Sequence, residues 1–198
     1  NPLTRACGFA LSQMPIDQQS KTEIWQQIIK CPDPETKLWL LKLTNGWVIP
    51  QDMLRKLQTE THPFVLTSLI QLGHLPAEQY VDSNNSHLQR AALQRIIETT
   101  DEPWPLVQQF VQTGSTVKAY QQFRLGEGKY YSIALEILDS LITHNKPWPA
   151  DEFLKTNIPF EFQQMAMQTL TDKEQLVQYI NEAIHTEIRT AAMEQFKN

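Results

Sequence analysis

The sequence predicts an all-α fold, a stack of helical hairpins joined in chain order. Three observations predict it. Apolar residues recur at helical spacing, as at Leu88, Ala91, Ala92, Leu93, Ile96 and Ile97. Prolines stand where new helices should begin, as Pro50, Pro63, Pro76, Pro105 and Pro149 do, and a proline in a first turn has no intrahelical bond to lose. Only 6 glycines occur in 198 residues, few for the tight turns of an all-β chain.

Each element follows from local residues. Pro2 to Met14 reads as a first helix with Leu3, Ala6, Cys7, Ala10 and Leu11 on one face. Pro15 and Asp17 break it and start a second, whose stripe is Ile24, Trp25, Ile28 and Ile29. The turn Cys31 to Glu35 carries capping residues and precedes the apolar run Leu38 to Leu43, which Asn45-Gly46 should end. Trp47 to Pro50 leads into a short helix from Gln51. Pro63 opens another, closed by Gly73, and Leu75-Pro76 leads into Ala77 to Val81. Asp82 or Asn85 can cap the next helix, and Asp101 to Pro105 ends it and begins its partner. Trp25 and Trp39 fall in helical stripes and read as core. Trp47, Trp104 and Trp148 stand just ahead of following helices, where each can wedge against the next hairpin.

The leading helices align with one another. His87 to Ile96, Lys129 to Leu138, Glu161 to Leu170 and Glu187 to Phe196 each place a small residue near the middle of the apolar face: Ala92, Ala134, Ala166 and Ala192. Small side chains there permit close helix approach, which a stack of hairpins needs along its length. Two Pro-Trp-Pro tripeptides, at Pro103 and Pro147, lead into following segments in the same way.

In its motifs the chain resembles the HEAT-like (armadillo-type) repeat family. Ile188-Arg189-Thr190-Ala191-Ala192, preceded by Glu182, is similar to that family's aliphatic-Arg-x-Ala-Ala run. Leu88-Gln89-Arg90-Ala91-Ala92, preceded by Asp82, is similar too, with Gln where the family usually has Arg. The resemblance implies a right-handed α-solenoid of about six stacked hairpins, with residues 1–198 as one HEAT-like domain or as part of a longer chain. Tetratricopeptide repeats fit less well, because the periods are irregular and the Trp, Gly and Tyr signature positions are missing. The spacing breaks at about 114–128, which holds three of the six glycines. That stretch reads either as a third helix packed on its neighbours or as a binding insert, with Ser115 capping a short helix that carries Val117, Tyr120 and Phe123.

Catalytic and metal chemistry find little footing. His62, His74, His87, His144 and His185 lack metal-ligand spacing and read as surface or capping residues. Asp101-Glu102 and Asp151-Glu152 sit at helix starts, where the dipole favours carboxylates. Cys7 and Cys31 are too few for a disulfide scaffold; they read as buried thiols, with a Cys7–Cys31 bridge as the alternative. No cofactor, metal or catalytic residue is expected. No apolar run approaches the roughly 18 residues of a membrane span, and no signal pattern opens the chain, so membrane insertion is not expected and the cytoplasm is the expected compartment.

The expected function is that of a protein-interaction scaffold binding a peptide or partner domain. The net charge of -5 disfavours phosphate backbones. The HEAT-like resemblance also admits a nucleic-acid-binding protein or DNA glycosylase, and a lyase-type enzyme on the same scaffold. In that family the second helix of each hairpin generally lines the concave side. Carried over here, this puts Gln79, Gln108, Gln109, Gln112, Asp151 and Glu152 among the partner-binding residues, with Tyr120, Phe123 and Arg124 as anchors on the insert.

Overall fold

A computed structural model describes residues 16–44, 46–154, 157–183 and 186–197, and among them every regular element is helical. We number the α-helices α1 (Gln18–Lys30), α2 (Pro34–Leu43), α3 (Gln51–Leu57), α4 (Pro63–Gln71), α5 (Ser86–Thr99), α6 (Trp104–Gly114), α7 (Val117–Arg124), α8 (Lys129–Thr143), α9 (Phe160–Thr169), α10 (Lys173–Glu182) and α11 (Thr186–Lys197). Short 3-10 turns occupy Ala77–Tyr80 and Ala150–Leu154. The chain forms two compact units, Asn1–Arg95 and Ile96–Asn198, and the division falls within α5. No helix among the described residues is long and apolar enough to cross a membrane.

In the first unit the helix starts follow from the sequence. Asp17 accepts the Ser20 N–H at 2.9 Å and Asp33 accepts the Thr36 N–H at 2.7 Å, so each caps its helix. Asn85, not Asp82, caps α5 by accepting from the N–H groups of His87 and Leu88. Gly73 takes φ +76° at the end of α4, and His74 donates its N–H back to the Leu69 carbonyl, a Schellman closure that a β-carbon would strain. The core gathers Trp25, Ile28, Leu41, Met53, Leu57, Val65, Leu69 and Ile70, with α1 against α2 and α3, and α2 against α4. Lys37 and Glu60 form a largely buried ion pair at 2.6 Å. Burial alone would raise the Glu60 pKa, but Lys37 and the backbone N–H groups of His62 and Thr61 hold it below the ordinary value.

The second unit packs α6 against α8, α8 against α9, and α9 and α10 against α11. Its core is aromatic as well as aliphatic. Tyr131 meets Phe162 edge to face at 5.3 Å, and Phe162 stacks with Phe153 at 6.5 Å. Phe153 then touches both Trp104 and Trp148, which lie 6.5 Å from each other, so the two Pro-Trp-Pro tripeptides meet over one ring.

Ala92, Ala134, Ala166 and Ala192 are all fully buried. Three residues before each of three of these alanines, a long polar side chain donates back to the carbonyl of the preceding turn. Gln89 donates to Val81 at 2.7 Å, Gln163 to Ile158 at 2.6 Å and Arg189 to Ala183 at 2.9 Å. Gln and Arg therefore do the same work at matching positions: each satisfies a loop carbonyl that the helix leaves open.

Some expectations need correction. Ala77 to Val81 and Ala150 to Thr156 were expected as α-helices, but Ala77–Tyr80 and Ala150–Leu154 form 3-10 turns, and residues 155–156 lie outside the described residues. Ser115 is the buried C-cap of α6, and Thr116 caps α7 instead, accepting the Ala119 N–H at 3.0 Å. Trp39 is half-buried, and Trp47 carries Lys21 over its ring at 5.5 Å. Cys31 is a half-buried free thiol. The expected first helix, Cys7, Asn45 and His185 lie outside the described residues.

Candidate functional site

The irregular stretch between α6 and α8 folds as a short helix with fixed ends. Thr116 caps the start of α7. At its other end, Gly126 takes φ +80°, its N–H reaches the Phe123 carbonyl at 3.0 Å, and the Glu127 N–H reaches Gln122 at 2.9 Å. Gly128 lets this turn lie against α7 itself, since a β-carbon there would meet the Phe123 nitrogen at 2.5 Å. Gly114, at the end of α6, packs against α8 instead, where a β-carbon would run into the Tyr130 carbonyl and Ala134. Two of the three glycines are thus close-packing devices, one setting the turn on α7 and the other setting the end of α6 on α8.

Its inner side is aromatic. Phe123 stacks on Tyr131 at 5.1 Å, and Tyr120 lies 5.3 Å from the same ring. The Tyr131 hydroxyl is buried, and burial, with the Glu161 carboxylate nearby, pushes its pKa well above the ordinary phenol value. Its outer side is different. Val117 is 49% exposed, Phe123 44%, Tyr130 41% and Leu125 75%. Helical spacing puts Val117, Gln121 and Leu125 in one row, with Lys118 on one flank and Arg124 on the other. Lys129 stands over the Tyr130 ring at 5.2 Å. Neither Lys118 nor Arg124 has an ion-pair partner among the described residues.

The sequence-predicted residues divide between the units. Gln79 is exposed on the 3-10 turn Ala77–Tyr80 of the first unit. In the second, Gln108, Gln109 and Gln112 are exposed on α6, and Asp151 and Glu152 are exposed on the 3-10 turn Ala150–Leu154. Tyr120 and Phe123 are brought together on Tyr131, and Arg124 is exposed beside them. Sequence reasoning missed Leu125 and Tyr130, the first because it lies between Arg124 and Gly126 outside any apolar stripe.

Elsewhere the surface offers little chemistry. Among the described residues, no three His, Cys, Asp or Glu side chains could hold a metal ion. An open cleft on the first unit is lined by Glu35, Leu38, Trp39 and Lys42, all from α2, and gathers no convergent polar groups. His74 is not a surface residue, as expected from sequence, but half-buried with its ring edge-on to Trp25 at 5.8 Å. His144 bonds locally to the Ser140 carbonyl through Nδ1 at 2.8 Å. No family model, no curated protein and no solved structure matches the chain. The HEAT-like resemblance therefore rests on residue pattern alone.

Proposed function

We propose that this chain is a HEAT-like helical-repeat module that binds a peptide or partner domain and carries out no chemistry of its own. The observation that carries this reading is the outer side of α7, where apolar side chains stay exposed on a segment whose backbone is closely held. Exposure from fraying would not combine with a Schellman closure and two glycine contacts. Clusters of aromatic and arginine side chains at fixed positions are the usual anchors of protein interfaces. The repeated bond from Gln89, Gln163 and Arg189 to the preceding turn favours a repeat architecture over a single irregular bundle. Nucleic acid suits the chain poorly, since a net charge of -5 offers little to phosphate.

Capture of partners from the native source tests it. Wild type should retain a partner that Leu125→Glu releases, and Gln109→Arg on α6 should retain it. A partner held equally well by Leu125→Glu would show that α7 is not the principal surface.

A further inference from the structure

The outer row of α7 has a charge pattern that narrows its partner. Val117 and Leu125 are the apolar members of the row, and Lys118 and Arg124 flank it on opposite sides. Residues 114–130 contain three cations, Lys118, Arg124 and Lys129, against the single acid Glu127, within a chain that is net negative. A local basic surface on an acidic protein draws an acidic partner and disfavours a basic one. Val117 and Leu125 lie two turns apart along one helix, the spacing at which an amphipathic helix presents apolar side chains.

We propose that α7 and the turn after it form a docking surface for an acidic amphipathic segment of a partner protein. Its apolar side chains cover Val117 and Leu125, and its carboxylates pair with Lys118 and Arg124. Because Thr116, Gly126 and Gly128 already fix the helix, binding orders side chains only, and little conformational entropy opposes it.

This rests on the protein-binding reading above, and the test separates the two. The full chain is titrated against fluorescein-labelled peptides of about 18 residues, with Leu and Phe at helical spacing and either Glu or Lys elsewhere. The Glu peptide should bind, the Lys peptide should not, and amide shifts should concentrate in residues 114–130. Lys118→Glu with Arg124→Glu should weaken the Glu peptide by about tenfold or more, and Glu127→Lys should tighten it. All three side chains are exposed, and a circular dichroism spectrum confirms that the variants fold. Equal binding of both peptides, shifts centred elsewhere, or no binding of the Glu peptide would each overturn the acidic-partner proposal. If the Glu peptide fails while Leu125→Glu still releases a captured partner, only the acidic preference falls. If Leu125→Glu releases nothing, the α7 reading falls with it.

Discussion

The two units of this chain solve the same packing problem with different chemistry. The first builds its core from aliphatic side chains around Trp25, and holds its turns with charge: Asp17 and Asp33 at caps, and the Lys37–Glu60 pair between α2 and the turn before α4. The second runs a series of aromatic contacts from Phe123 through Tyr131, Phe162 and Phe153 to Trp104 and Trp148. Ring contacts are insensitive to pH in the acid range, and capped or paired carboxylates are not. The lesson is that similar helix patterns can hide different modes of failure. Both use carboxylate caps, Asp172 holding the start of α10 in the second unit, but only the first adds a largely buried ion pair and only the second a continuous series of rings.

The largest expected effect is in the aromatic series. Phe162 is fully buried and links Tyr131 to Phe153, so Phe162→Ala should destabilise by about 3–5 kcal/mol through lost burial and a cavity. Amide exchange should accelerate in α8 and α9 while α1 to α4 keep their protection. If all of these helices lose protection together, the units do not differ in the way their cores suggest.

Next comes the small-residue crossing. Replacing Ala92 or Ala134 by Leu should each cost about 1–3 kcal/mol by overpacking. Ala134 should be the costlier of the two, because it faces the backbone of α6 at Gly114, where not even a β-carbon fits. Chemical denaturation of the two variants ranks them, and a tolerated Ala134→Leu would mean that α6 and α8 can slide apart.

Much of the helical content was legible in the sequence, because capping and periodicity are local. Asp17, Asp33 and Asn85 cap as their positions suggest, and the four alanines are buried as their shared position on the apolar faces predicts. What local pattern could not resolve was competition between neighbours. Ser115 and Thr116 are both good caps, and tertiary burial of Ser115 at the end of α6 hands the role to Thr116. The segments after Pro76 and Pro149 looked like helix starts, but Ala77–Tyr80 and Ala150–Leu154 take 3-10 geometry. The candidate surface was half legible. Tyr120, Phe123 and Arg124 were visible as residue types, but Leu125 and Tyr130 come to it through the glycine contacts that press the turn onto α7, which no periodicity encodes.

The smallest and most discriminating effect is in pH. In the first unit the Asp17 and Asp33 carboxyls are held below their ordinary values by hydrogen bonds from Ser20 and Thr36. Glu60 is held below its own ordinary value of 4.5, chiefly by Lys37 against the opposing effect of burial. His74 is lowered from 6.5 by burial and then by the Arg95 guanidinium, the charged group facing it from α5, while Trp25 meets it from α1. A lowered folded pKa gives stability that is present above the unfolded value and lost as pH falls through the folded one. The His74 contribution is therefore lost below pH 6.5, and the Glu60 contribution below 4.5. In the second unit Tyr131 and Tyr179 are raised above 10.0, first by burial and then by nearby carboxylates. Their sign is opposite: stability is present below pH 10.0 and lost as pH rises through the folded values. Amide exchange followed across pH should show α1 to α4 loosening first in acid and α8 to α10 loosening first in alkali. His74→Gln should remove the step just below pH 6.5 and leave the Glu60 step in place. If that variant retains the upper step, the imidazole beside Trp25 is not its source, and the acid sensitivity of this unit belongs to its carboxylates alone.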